Sequence, residues 1–550
     1  MTIVRNRRSM GIVSAPTASS AWIFRLFADA TRRARGARCL CVLIALAALG
    51  VAGAVQPAGA SSVTQTTTFT HDPSTGFVTQ TVVEPNDSAH STQTGYTYDA
   101  YGNKTAVTVS GQGIATRTTT ATYDTKGQFP ATTGNALSQS ESWNYDPRFG
   151  APTSHTDPNN VTATSSYDSF GRIAQEVRPD GTKTVYTYIN CAVSGGCVSG
   201  AATAQKAVVY APDGSTVIGP AATVYYDSLS RQIAVTTQGF DGSTVLTTIQ
   251  YDANGRVSQT SRPYFQSGGA PHWTVNTYDT IGRVTQVALP NGGSVSYAYH
   301  GLTSSVTNDH GQTSTTVRNA QGLAAAITDA AGHTTNYGYD ALGDLTSVTD
   351  PYGNVIANTY DVHGNKTASS DPDMGNWSYV YDVLGELTSQ TDAKGQTTAI
   401  GYDVLGRPTS RSENGLVSAW TYDTAAHGIG KLAEAKACTS SGCPTVVSDR
   451  TLAYDGLGRP TASTLSVGGT NYTYTVNYDF YGRPSTVAYP SGFTAQYVYT
   501  SLSYLSQIKD AGSGTPYWTA NARDAEMHTV SQTFGNGVGQ SGTYDANTGL

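Results

Sequence analysis

Charge is scarce in this chain: Asp, Glu, Lys and Arg together make up 13% of 550 residues, about half the usual share. Gly (58), Tyr (35) and abundant Ser and Thr fill the space instead, a composition that favours strands and turns over helices. The net charge of −7 and a pI near 5.8 exclude a sequence-independent grip on nucleic acid, which needs a basic surface. Outside the N-terminus there is no Lys/Arg stripe. Catalytic patterning is also missing. The ten histidines (His71, His90, His155, His272, His300, His310, His333, His363, His427, His528) form no His-Glu-x-x-His, and no nucleophile elbow or phosphate-binding loop occurs. No loop converges the oxygen ligands that calcium needs; the close carboxylates of Asp371-Pro372-Asp373 sit where a turn belongs. The sequence therefore assigns no catalytic, cofactor or metal residues.

Long apolar runs are limited to residues 39–55, preceded by a basic stretch (Arg5 to Arg38) and followed by Ala58-Gly59-Ala60. This order predicts an export signal over residues 1–60, cleaved after Ala60, and hence a secreted or cell-surface protein. An uncleaved anchor, the only route to a membrane, is the alternative. Cysteine is equally sparse. Besides Cys39 and Cys41, only Cys191 with Cys197 and Cys438 with Cys443 are present, each pair in a Ser/Gly-rich loop. Two local disulfides in an oxidising compartment are expected. Free thiols are the alternative, and zinc lacks a second pair or a His at ligand spacing.

What the chain has is repetition. Tyr339-Asp340, Tyr360-Asp361, Tyr381-Asp382 and Tyr402-Asp403 recur at 21 residues, each followed three places after the Asp by Gly343, Gly364, Gly385 or Gly406. A period of this length means stacked units. Alternation before each pair, as in Tyr379-Val380-Tyr381, puts two rings on one face of a strand, the face expected to be buried. Asp-x-x-Gly then makes a hairpin turn, with Asp accepting from the backbone and Gly in the left-handed conformation. A polar strand and a second turn, such as Asp350-Pro-Tyr-Gly353, complete the unit.

The Arg that follows the turn Gly (Arg172, Arg256, Arg283, Arg407, Arg459, Arg483) is expected to pair with the Asp of a neighbouring hairpin. Trp143, Trp273, Trp377, Trp420 and Trp518 fall in or near strands entering a turn, which places them in the same seam as the tyrosines.

Eroded copies fill the gaps: Tyr299-His300, Arg318-Asn319 and Arg523-Asp524 keep a turn, and Tyr188, Tyr210 and Tyr499 keep the spacing. The expected organisation is a Thr-rich lead-in over 61–95, then about twenty units over 96–550, with Cys-loop insertions at 190–200 and 437–444. The chain stops just after a turn at Gly549-Leu550, which reads as a fragment.

Tyr-Asp-x-x-Gly-Arg at Tyr167, Tyr251, Tyr278, Tyr402, Tyr454 and Tyr478 resembles the YD repeat of Rhs proteins, found also in bacterial wall-associated proteins, Tc-toxin shell components and teneurins. The resemblance covers roughly residues 96–550. It implies an all-β fold, a spiralling ribbon of antiparallel hairpins forming part of a hollow shell, and a non-enzymatic carrier role with a C-terminal passenger polypeptide as partner. Cell-surface adhesion is the second role it implies, and the Tyr and Trp rings, flat with polar edges, add carbohydrate binding to surface glycans as the alternative function. The Asp-Pro-x-Gly-Leu core segment and toxin domain of toxin-bearing relatives have no counterpart here; Asp350-Pro351-Tyr352-Gly353 comes nearest, but Asn354 follows it.

Overall fold

The computed structural model describes residues 64–440 and 442–550. The expected export signal therefore lies outside the described residues. Among the described residues forty-two strands, from Thr67–His71 to Gly539–Ser541, run antiparallel in one continuous sheet. With one exception, each strand hydrogen-bonds to the next in sequence, so the chain is a long meander. The only α-helix among the described residues is the single turn Cys191–Ser194. The meander begins before residue 96: Thr67–His71, Val78–Val83 and Thr92–Tyr98 already pair in order, because Asp72-Pro-Ser-Thr-Gly76 supplies a turn between Thr-rich strands.

One unit shows why these residues fold this way. Gly375–Tyr381 pairs with Leu387–Thr391, with a bulge between Val380 and Tyr381 that sets Tyr381 opposite Leu387. The bulge recurs before the ring of nearly every Tyr-Asp pair, as at Tyr339, Tyr360 and Tyr402, because the three-residue loop adds one residue to one side of the ladder. Along the strand Trp377, Tyr379 and Tyr381 are half-buried while Asn376, Ser378 and Val380 are exposed.

The ring face is thus the better covered one, but it is not buried. Among the described residues no second sheet lies over it, and the rings pack sideways along the ribbon, as Phe77 does on Tyr98 at 4.9 Å and Phe129 on Tyr145 at 5.0 Å between centroids. Among the described residues only fourteen hydrophobic side chains are buried. Cohesion comes instead from the backbone ladder and from cross-strand hydroxyl pairs such as Thr359–Thr367, Thr328–Thr334 and Thr122–Thr132, at 2.7–2.9 Å. Threonine is abundant for that reason: it extends the strand and bonds across it.

The meander is interrupted once. Thr244–Tyr251 pairs by Val245 and Leu246 with the short strand Tyr264–Phe265, and by Ile249, Gln250 and Tyr251 with Val257–Ser261. Val257–Ser261 then pairs with Trp273–Tyr278, past the intervening loop. Here lies a compact cluster, Ala204, Tyr225, Ala234 and Leu246, onto which the Cys191–Cys197 loop packs. Tyr210 does not mark a repeat. It ends the outgoing strand Thr203–Tyr210 and meets a loop over 211–221 on the opposite edge, so spacing alone misplaced it.

Candidate functional site: a stapled wall closed edge to edge

The Tyr-Asp phrase is a staple in two directions. Within each turn the Asp carboxylate caps the backbone. Asp340 Oδ1 accepts from Leu342 N and Asp344 N, both at 2.9 Å. Asp361, Asp382 and Asp403 do the same at 2.8–3.0 Å. Gly343, Gly364, Gly385 and Gly406 take φ between +79° and +91°, where a Cβ would clash with the backbone. Asn319 replaces Asp with equal effect, accepting from Gln321 N and Leu323 N at 3.0 Å. At Tyr299-His300 the turn is tighter, with His300 directly opposite Thr303.

Between turns the tyrosine makes the link. Tyr360 Oη donates to Leu345 O at 2.8 Å, Tyr339 to Ala324 O at 3.0 Å and Tyr402 to Leu387 O at 2.9 Å. Each acceptor opens the strand that leaves the preceding turn. Burial holds the Tyr339, Tyr360, Tyr381 and Tyr402 phenols above their ordinary pKa, which keeps them as donors.

Arginine connects the two, and not as the sequence suggested. Arg172, Arg256, Arg283, Arg459 and Arg483 donate to the Asp of their own turn, at 2.7–2.8 Å, because the hairpin folds residue i+4 back over residue i. Their guanidinium planes then cover the next tyrosine in line: Arg459 on Tyr478 at 4.1 Å, Arg256 on Tyr278 at 4.4 Å, Arg283 on Tyr299 at 4.3 Å. Arg407 alone of the six also reaches the next unit's aspartate, Asp423, at 2.6 Å. This donation is the main cause lowering the Asp423 pKa. The tyrosine link and the arginine stack were missed from sequence, although the fixed Tyr-to-Tyr spacing carried their signal.

The ribbon coils back on itself. Arg117 grips both oxygens of Glu386 at 2.8 and 2.7 Å, 269 residues away. Asn159 exchanges two hydrogen bonds with Ile429 across 270 residues, at 3.0 and 2.9 Å. Arg262 grips Glu526 across 264 residues, at 2.7 and 2.5 Å, and His272 meets Asn547 across 275, at 2.7 Å. Tyr504 Oη donates to Gln238 O at 2.6 Å, Ser503 bonds Ile218 O, and the rings of His90 and His363 lie 5.8 Å apart.

These contacts share one geometry. The first partner is always at the second turn of its unit, and the later partner at the Tyr-Asp turn. One edge of the first lap therefore abuts the opposite edge of the next, and a sheet one layer thick becomes a laterally closed wall.

The cysteines lie on edges as well. Cys191 and Cys197 are bonded, with Cα atoms 5.6 Å apart, on the Tyr-Asp edge; Cys438 and Cys443, bonded with Cα atoms 5.0 Å apart, lie on the other. Among the described residues no group of three or more His, Cys, Asp or Glu could hold a metal ion. None of their helices is long and apolar enough to cross a membrane.

Residues 145–183, 318–355 and 381–416 match the family model described as RHS Repeat. These three segments carry Rhs repeats. The fold of the whole ribbon is similar to that of TcdB2-TccC3, at 15% identity over 83% of this chain and 28% of that one, with a TM-score of 0.57. It is similar also to the Photorhabdus luminescens Tc holotoxin pore, at 13% identity over 83% of this chain and 30% of that one, TM-score 0.58. A third likeness is to TcdB2-TccC3 without its hypervariable C-terminal region, at 14% identity over 88% and 34%, TM-score 0.50. The chain thus spans about a third of the length of these solved chains. No curated protein matches it.

Proposed function

We propose that the chain is a segment of an exported encapsulating wall, structural and not catalytic, that separates a passenger polypeptide from other macromolecules. The observation that carries this reading is the edge-to-edge seam. A sheet wet on both faces has no use for lateral closure in order to build a core, but closure is what a barrier requires. The passenger is of the kind that follows the repeats in polymorphic toxins, and release accompanies opening of the wall. Export rests on the basic and apolar order of residues 1–60, and sequencing the mature N-terminus tests it: Ser61 is expected.

Barrier function is tested with single cysteines on the two faces of one strand, at Asn358 and Thr359. Both should react with a small maleimide, and only one with a maleimide carrying a large polymer. Equal reaction with the large reagent at both positions contradicts enclosure.

A second reading, display of the outer surface to glycans, is favoured by one observation. Tyr472, Tyr474, Tyr489 and Tyr517 are exposed close together, with Tyr474 and Tyr489 rings 5.7 Å apart and Phe493 and Tyr517 rings 5.4 Å apart. Flat rings with polar edges suit sugar faces. A glycan array on the secreted protein tests it, and no binding removes it.

A further inference from the structure

The third residue of the Tyr-Asp turn reports whether an edge is covered. In the later lap this position is half-buried at Leu342, His363, Leu384, Leu405 and Leu457, and at His363 the cover includes a second-turn residue of the first lap, His90, its ring 5.8 Å away. In the first lap the same position is open, and at four turns it is apolar: Phe170 is 78% exposed and Ile281 is 74% exposed, with Tyr101 and Leu229 similar, while Lys126 and Asn254 hold it at two others. Isolated exposed apolar side chains are ordinary, but a row at one repeat position is not.

The opposite edge mirrors this. In the first lap Asn159, third residue of Asp157-Pro-Asn-Asn160, docks on Ile429. In the later lap the equivalent Tyr352, third in Asp350-Pro-Tyr-Gly353, is 83% exposed, and Met374 in the next second turn is 61% exposed. Among the described residues there are therefore two open edges, of the two kinds that the internal seam joins.

We propose that these edges bind each other between molecules: the Tyr-Asp edge of the first lap, centred on Phe170, Leu229 and Ile281, receives the second-turn edge of the later lap of a second copy, centred on Tyr352 and Met374. The contact continues the geometry of the internal seam. It is head-to-tail, so it does not close on two subunits and extends the wall by one copy at a time.

Sedimentation velocity on the full chain over a wide concentration range tests this. The wild-type protein should form a concentration-dependent ladder of dimers and larger species. Phe170→Asp with Ile281→Asp should raise the dissociation constant at least tenfold, and Tyr352→Asp with Met374→Asp should do the same from the other edge. All four residues are exposed, so the thermal unfolding of each double variant should match wild type. Mixing the two double variants should restore dimers and nothing larger, because each keeps one intact edge. A wild-type protein that stays monomeric, association that survives in either double variant alone, or a mixture that gives no dimers would overturn the proposal. Loss of self-association would leave the barrier test at Asn358 and Thr359 unaffected, so the two readings fail separately.

Discussion

Arg117 donates to both carboxylate oxygens of Glu386, joining a second-turn strand of the first lap to a Tyr-Asp turn of the next. Both side chains are largely covered, with 20% and 16% of their surface exposed, so the pair is less screened than surface ion pairs. The Glu386 oxygens hold the Arg117 pKa above its ordinary value.

Arg117→Ala should destabilise the protein by about 1–3 kcal/mol, because it leaves Glu386 half-buried without its partner. Glu386→Gln should cost less, and a double-mutant cycle should show coupling above about 0.5 kcal/mol. Chemical unfolding monitored by tryptophan fluorescence provides the measurement. Additive effects would mean that the seam contributes nothing at this point.

Tyr360→Phe removes one hydroxyl and leaves the Leu345 carbonyl without that donor. A loss of about 0.5–1.5 kcal/mol is expected, with hydrogen exchange accelerated in the two hairpins joined at Leu345 and little change a full lap away. Calorimetry and exchange mass spectrometry together read this. Unchanged local exchange would show that the tyrosine is a surface ring and no staple.

The turn glycines and their exceptions give opposite signs. Gly385 has φ +81°, and a Cβ there would approach Asn365 Oδ1 to 3.1 Å, so Gly385→Val should destabilise by about 1–3 kcal/mol. Ser230 holds the glycine place at φ +60°. Ser230→Gly should therefore stabilise, by up to about 1 kcal/mol. Thermal midpoints of both variants check the pair, and a loss at Ser230→Gly would contradict the strain argument.

Acid should weaken the turns within a defined window. The backbone amides of Arg231, Arg256 and His333 hold Asp227, Asp252 and Asp329 below the ordinary carboxylate value. The Thr216 hydroxyl and amide bring Asp213 from 3.8 to about 2. A carboxylate whose pKa is depressed by folding stabilises the fold above its unfolded value, and that stabilisation is lost as pH falls through the folded value. The thermal midpoint should therefore be level from pH 7 to about 4 and fall between about 4 and 2. Midpoints that decline from pH 7 downward would point to histidine instead.

Much of the fold was legible because the repeat is spelled by a turn whose chemistry is local. Asp340, Gly343 and their three partner sets act within five residues, and local rules suffice there. Burial was less legible. Alternation at Tyr379-Val380-Tyr381 gives the correct faces, but nothing local states that the better covered face has no layer above it. Arg459 was misassigned to a neighbouring hairpin because i to i+4 proximity across a bulged turn is not apparent from strand spacing. The seam was invisible: Arg117 and Glu386 are ordinary residues whose meeting depends on the curvature accumulated over 269 residues.

The central claim, that the ribbon coils into a wall closed edge to edge, is tested most directly by single-particle electron microscopy of the purified protein. The expected reconstruction is a curved wall one sheet thick in which the strand beginning at Arg117 abuts the turn containing Glu386. A straight ribbon, separate hairpin clusters, or laps held apart at that point would contradict it.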